Sequence, residues 1–232
     1  MKKTTNAIPF KFTNEVNEKE HVMVINGAIG ESGWLYDATS ANDVREALDD
    51  IQASTIRIKL NSGGGDAFEG IEIMNYLKDL DAKVIVEVTA LAASAASIIA
   101  MGADEIIMRE GSTMMIHEAS TMAYGTKSDM QKTLNALESI DQSLVDIYAN
   151  KTGLSQAEVV ELLVAETWMT GPEALAKGFA TSVATPVKPK EDDEMEKVVN
   201  DLKLQVSNLQ KQIDNKKEEP QPLVTKQRRL GF

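Results

Sequence analysis

"TIRIKLNSGGGDAFEG", residues 55–70, decides how the chain folds. In its first half Ile56, Ile58 and Leu60 alternate with Arg57 and Lys59, the period of a strand buried on one face. Three glycines in a row follow. Beyond them Phe68, Ile71, Ile73, Tyr76, Leu77 and Leu80 recur at helical spacing. A strand, a glycine loop and a helix in that order belong to an α/β domain rather than to a hairpin.

The same alternation extends in both directions. Upstream, "HVMVING" (21–27) reads as a strand, and "SANDVREALDDI" opens on a Ser40/Asp43 capping box with Val44, Leu48 and Ile51 on one face. Downstream come the strand "KVIVEV" (83–88), a small-residue segment at 91–101, and short strands at "EIIM" and "TMMIH". Residues 127–151 carry Met130, Leu134, Leu137, Ile140, Leu144 and Ile147 at steps of three and four, a long helix that Gly153 stops. Two shorter helices follow, capped by Ser155/Glu158 and by Thr170/Glu173, with Pro172 in the first turn of the latter and Gly178 at its end.

Composition sets the outer bounds. The 232 residues suffice for one domain at 20–185 with an extension at 1–19 and an appendage after it. With no cysteine, thiolate metal sites, disulfide scaffolds and cysteine nucleophiles are excluded. Residues 1–185 hold 14 Lys and Arg against 27 Asp and Glu, a net charge of −13 that argues against a nucleic-acid partner. No apolar run spans a membrane, and "MKKTTNAIPF" lacks the apolar stretch of a signal peptide. A soluble cytoplasmic protein is the expectation.

Four of the six prolines lie after residue 185, and "PVKPKEDDE" (186–194) reads as a linker. Met195, Val199, Leu202, Val206, Leu209 and Ile213 then form under three heptads, a short amphipathic or coiled-coil helix over 195–216. Residues 217–232 read as a disordered tail.

Two segments carry candidate chemistry. The glycine loop lies where backbone amides are left unpaired and can point at an anion, and its glycines let a ligand approach the main chain. It lacks the spacing and lysine of a phosphate loop, so a turn without ligand and an oxyanion hole are the readings left. In "LAASAAS" (91–97) Ser94 and Ser97 sit among alanines, which fits either a crowded buried helix or a nucleophile. Of the two histidines, His21 lies within the first strand, whereas His117 ends "TMMIH", where a loop can bring it to a serine.

"NSGGG" (61–65), "AAS" (92–94) and "MIH" (115–117), joined by "KTGLSQAEV" and "WMTGPEALAKGFA", resemble the Clp protease proteolytic subunit (ClpP) family, in particular its phage and prophage head maturation branch. The resemblance spans residues 20–185 and implies an α/β, ClpP/crotonase-like superhelix of strand-strand-helix units with a long handle helix. It implies Ser94 as nucleophile, His117 as general base, and the Gly65 and Ala95 amides as oxyanion donors. Gly63, Gly64 and Asp66 would border an extended peptide substrate added as a strand. No metal or organic cofactor is implied.

A ring of six or seven subunits, possibly stacked, is implied as well, with a protein or peptide substrate and a capsid, scaffold or unfoldase partner. Two departures stand out. Gly63 replaces the family's proline, and gapless alignment puts Leu162 where the family has the aspartate that orients the histidine. Glu166 is the replacement candidate for that third member, with Glu161 its rival. A crotonase-like acyl-CoA enzyme and a catalytically silent ring-forming assembly protein remain as alternatives.

Overall fold

A computed structural model of the chain describes residues 20–33 and 37–184, the backbone of 16–17, and Leu202, Lys203 and Gln205. The chain divides into two units, Met1–Thr185 and Pro186–Phe232. In the second, the three described residues are helical. The heptad seam, the linker and the tail otherwise lie outside the described residues.

Among the described residues the first unit is built on a nine-stranded sheet. Strands β1 (Val16–Asn17), β2 (Glu20–Ile29), β4 (Thr55–Gly65), β5 (Lys83–Ala93), β6 (Glu105–Met108) and β9 (Ser182–Val183) lie side by side in that order. Strand β3 (Ala38–Thr39) joins β2, and β7 (Thr113–Ile116) bridges β5 and β8 (Thr167–Thr170). All pairings are parallel except β1 with β2 and β7 with β8. Such a sheet needs crossover helices, and the order of elements supplies them. They are α1 (Ala41–Leu48), α2 (Ala67–Asp79), α3 (Ala95–Ala100), α4 (Lys127–Thr152), α5 (Gln156–Val164) and α6 (Gly171–Ala176).

The alternation read from 55–60 is the one observed. Ile56, Ile58 and Leu60 are buried with Met23 and Ile25 of β2 and Val84, Val86 and Val88 of β5 in a continuous core. Each such side chain contributes about 1.5–3 kcal/mol on burial. The opposite face carries an ion network. Arg57 pairs with Glu20 at 2.6 Å and with Glu87 at 3.9 Å, and Glu87 also pairs with Arg109.

Helix ends follow the sequence. The Asp43 carboxylate accepts from the Ser40 N–H and hydroxyl, Glu158 does the same for Ser155, and Glu173 for Thr170. Gly153 closes α4 in the left-handed region at φ 78°. Among the described residues no helix is long and apolar enough to cross a membrane.

Two expectations require correction. The glycine segment is not a loop, because β4 runs on through Gly65, with Gly64 and Gly65 paired to Ala28 and Ile29 of β2. The small-residue segment is not a helix throughout, because β5 continues to Ala93 and α3 starts only at Ala95. In both places a strand partner outside the local sequence supplies the hydrogen bonds that keep a weak strand former extended. Strand β8 covers residues 167–169, to which the sequence reading assigns no element, and ends at Thr170, read only as a helix cap.

Candidate active site

Ser94 is the single residue between β5 and α3. Its backbone sits at φ 55°, ψ −126°, a conformation that costs a non-glycine residue about 1–3 kcal/mol. The corner is held from both sides. The Ser94 N–H donates to the Met115 carbonyl of β7 at 3.0 Å, while the Ser94 carbonyl accepts from the N–H groups of Ser97 at 2.9 Å and Ile98 at 3.3 Å.

A serine preceding a helix ordinarily turns its hydroxyl onto the first-turn amides. Ser94 makes no such cap. Its Oγ lies instead 2.8 Å from Nε2 of His117. The histidine follows β7 directly, and the pairing of Ala93 with Met115 carries the end of β7 past the corner. Both side chains are half-buried. A neutral imidazole at this distance can take the hydroxyl proton as the oxygen attacks.

The glycine strand runs alongside. A Cβ on Gly64 would lie 2.6 Å from the Ala93 carbonyl oxygen, 2.7 Å from Ser94 Cβ and 2.9 Å from the Ala95 nitrogen. Only glycine permits this approach, and φ +92° at Gly64 demands it as well. The pairing of β4 with β5 ends at Ser62 and Ala92, so Gly63–Gly65 continue beyond it on the side of Ser94. The Gly64 N–H is taken by Ser62 Oγ at 3.0 Å. Ala95 opens α3, and its N–H has no helical carbonyl to meet. Asp66, expected beside substrate, caps α2, its Oδ1 accepting from Phe68 N–H at 2.8 Å and Glu69 N–H at 3.2 Å.

Leu162 and Glu166 part company. Leu162 lies in α5, its side chain packed against the core and its carbonyl accepting from Thr167 Oγ1 at 2.7 Å. Glu166 lies just before β8, and the β7–β8 ladder ends with Ile116 opposite Thr167. His117 and Glu166 are therefore the next residues on the two chains. Glu166 has φ 47°, and its Oε1 accepts from Trp168 Nε1 at 3.2 Å; no hydrogen bond joins it to His117 among the described residues. Glu161 lies within α5 on an exposed position.

Three participants in this arrangement carried no sequence signal. Trp168 holds the Glu166 carboxylate. Asp141 of α4 accepts from the Ala119 N–H at 2.7 Å, tying the chain just after His117 to the long helix. Tyr148, also on α4, reaches the Ser94 corner through Ser97. All three contacts join elements distant in sequence or turn on a backbone angle, and no motif spacing encodes them.

A family profile described as Clp protease matches residues 36–187. ATP-dependent Clp protease proteolytic subunit 1 of Protochlamydia amoebophila is 28% identical over 189 residues, spanning 78% of this chain and 90% of that relative. The proteolytic subunit of Deinococcus radiodurans is 26% identical over 130 residues, 55% of this chain and 64% of that relative. A Bacteroides fragilis counterpart is 30% identical over 132 residues, 55% and 63% respectively. In fold, a ClpP1 point mutant from Listeria monocytogenes superposes with a TM-score of 0.62 at 22% identity, covering 72% of this chain and 92% of that one.

Proposed function

This chain belongs to the Clp protease family, and from that premise we propose that it is a serine endopeptidase of the ClpP type. Ser94 Oγ attacks the peptide carbonyl carbon as its proton passes to His117 Nε2. The Gly65 and Ala95 amides donate to the oxyanion. The C–N bond breaks as His117 returns the proton to the leaving amine. Water, deprotonated by His117, then releases the acyl group from Ser94. Glu166 is the third member, turning from Trp168 to the His117 ring to hold its tautomer.

The observation that carries the reading is the 2.8 Å contact between His117 Nε2 and a serine hydroxyl that its backbone diverts from helix capping. The test is labelling with a serine-directed fluorophosphonate followed by peptide mass mapping. Modification at Ser94 that is lost in His117→Ala is the expected result. An intact protein that stays unlabelled at Ser94 would favour the catalytically silent assembly protein instead.

In its finer form the proposal is a cytoplasmic, ring-forming protease of six or seven subunits per ring that trims capsid or scaffold protein during phage head assembly. The sequence resemblance supports that form. Mass-resolved oligomer size and cleavage of a co-expressed capsid or scaffold protein test it. An unfoldase ring that stimulates degradation of folded protein would instead favour an ATP-dependent role.

A further inference from the structure

Ser97 is fully buried one helical turn after Ser94, and the proposed chemistry leaves it unused. Its Oγ donates to the Ser94 carbonyl at 2.7 Å and lies 2.8 Å from the Tyr148 hydroxyl of α4. A serine hydroxyl has one proton. With that proton on the Ser94 carbonyl, the Tyr148 hydroxyl must be the donor to Ser97 Oγ. The chain of donation therefore runs one way, from Tyr148 to Ser97 to Ser94.

The carbonyl at the end of this chain shares its peptide plane with the Ala95 N–H. In a planar trans peptide the two bonds point in opposite directions. Whatever aims the Ser94 carbonyl into α3 also aims the Ala95 N–H away from it, toward the space beside Ser94 Oγ. The Ser94 ψ of −126° sets that plane, and it lies in a region the backbone does not hold by preference. We infer that Ser97 and Tyr148 are positioning residues, a buried relay from the long helix that locks the oxyanion-hole peptide in its donating orientation.

A serine bonded back to a carbonyl one turn earlier is by itself a common helical habit. Two features set this one apart. The accepting carbonyl belongs to the candidate nucleophile, and Tyr148, 1% exposed, comes from a helix 51 residues away. Tyr148 is itself fixed, its ring 5.6 Å from that of Phe179 and tilted by 51°. It is one of only three buried residues along α4, with Leu144 and Val145. Motion of α4 is thereby coupled to the orientation of one amide.

The inference rests on the protease reading, and the test separates the two. The full-length wild type, Ser97→Ala, Tyr148→Phe and the double variant are compared by fluorophosphonate labelling at Ser94 and by steady-state peptide hydrolysis. Loss of one oxyanion donor costs about 10²–10³-fold in kcat, so a donor left present, its peptide still held by the backbone N–H groups of residues 97 and 98, is expected to cost less, about 10-fold in Ser97→Ala, with KM unchanged. Tyr148→Phe is expected to fall by about 3–10-fold, and the double variant to match Ser97→Ala alone, because both act through one relay. A merely structural role would lower thermal stability and leave kcat of the folded protein unchanged.

If the wild type labels and Ser97→Ala keeps kcat within about twofold, or if the two losses multiply in the double variant, the relay is refuted while the protease reading stands. A wild type that does not label overturns both. Should Ser97→Ala fail to fold, Tyr148→Phe, which deletes one oxygen, carries the test: an unchanged kcat refutes the relay.

Discussion

Replacing Gly64 by alanine tests the close approach of β4 to Ser94, the proposed nucleophile. At φ +92° an L-residue is strained, at a cost of about 1–2 kcal/mol. The added methyl would meet the Ala93 carbonyl oxygen at 2.6 Å and Ser94 Cβ at 2.7 Å, where ordinary contact begins at 3.4 Å. Relief requires β4 and the Ser94 corner to part by about 0.8 Å, and a displacement of that order at a reacting centre costs about 10²-fold. Backbone atoms of Ala93 and Ala95 stand in the way, so no side-chain rotation can absorb it. The variant is expected to keep its fold, with a lower melting temperature, and to lose about 10²-fold in both kcat/KM and the rate of Ser94 labelling. Gly63→Ala is the control. A Cβ there meets nothing within 4 Å, and its φ is not in the positive range, so the rate of Ser94 labelling by the small fluorophosphonate is expected to stay within about twofold, whatever the methyl does to KM for a peptide that borders Gly63. Equal losses at the two glycines, or wild-type labelling in Gly64→Ala, would refute the reasoning.

Glu166→Gln is expected to lower kcat at least about tenfold with KM unchanged if its carboxylate orients His117, whereas Trp168→Phe, which frees that carboxylate, is expected not to lower it; steady-state kinetics on both decide, and an undiminished Glu166→Gln leaves the residue as a partner of Trp168 alone. His21 is 1% exposed with neither ring nitrogen hydrogen-bonded among the described residues, and burial holds its pKa below the usual value. The unfolded chain then binds the proton first, so stability is expected to fall as pH drops below about 6.5, by up to about 1.4 kcal/mol per pH unit until the folded-state pKa is reached. Urea unfolding between about pH 7 and 5 should show this slope reduced in His21→Leu; an identical slope in the variant would assign the acid sensitivity elsewhere.

Local pattern was legible wherever a residue's neighbours in sequence are also its neighbours in space. The Ser40/Asp43 and Ser155/Glu158 boxes and the Gly153 stop form as their spacing predicts, since each closes within one helical turn. The alternation at 56–60 identified the core face for the same reason. The proposed third member was legible only as a candidate. Position in the sequence offered Glu166 in place of Leu162, and the β7–β8 register sets Glu166 level with His117. Register depends on pairing between strands some fifty residues apart, and one-dimensional spacing does not contain it.

By itself the sequence determined the α/β class and most of its strands and helices, because periodicity and capping are local properties; the choice of Ser94 and His117, which meet at 2.8 Å, rested on the resemblance of their motifs to the family. Only the tertiary structure decided that the triple glycine belongs to a paired strand pressed against Ser94, and that Ser94 is a strained corner rather than a helical residue. It also decided that Ser97 faces Tyr148 across the core. Each of these depends on a hydrogen bond or a steric limit set by a distant segment, which exists only once the sheet has assembled and α4 has packed against it.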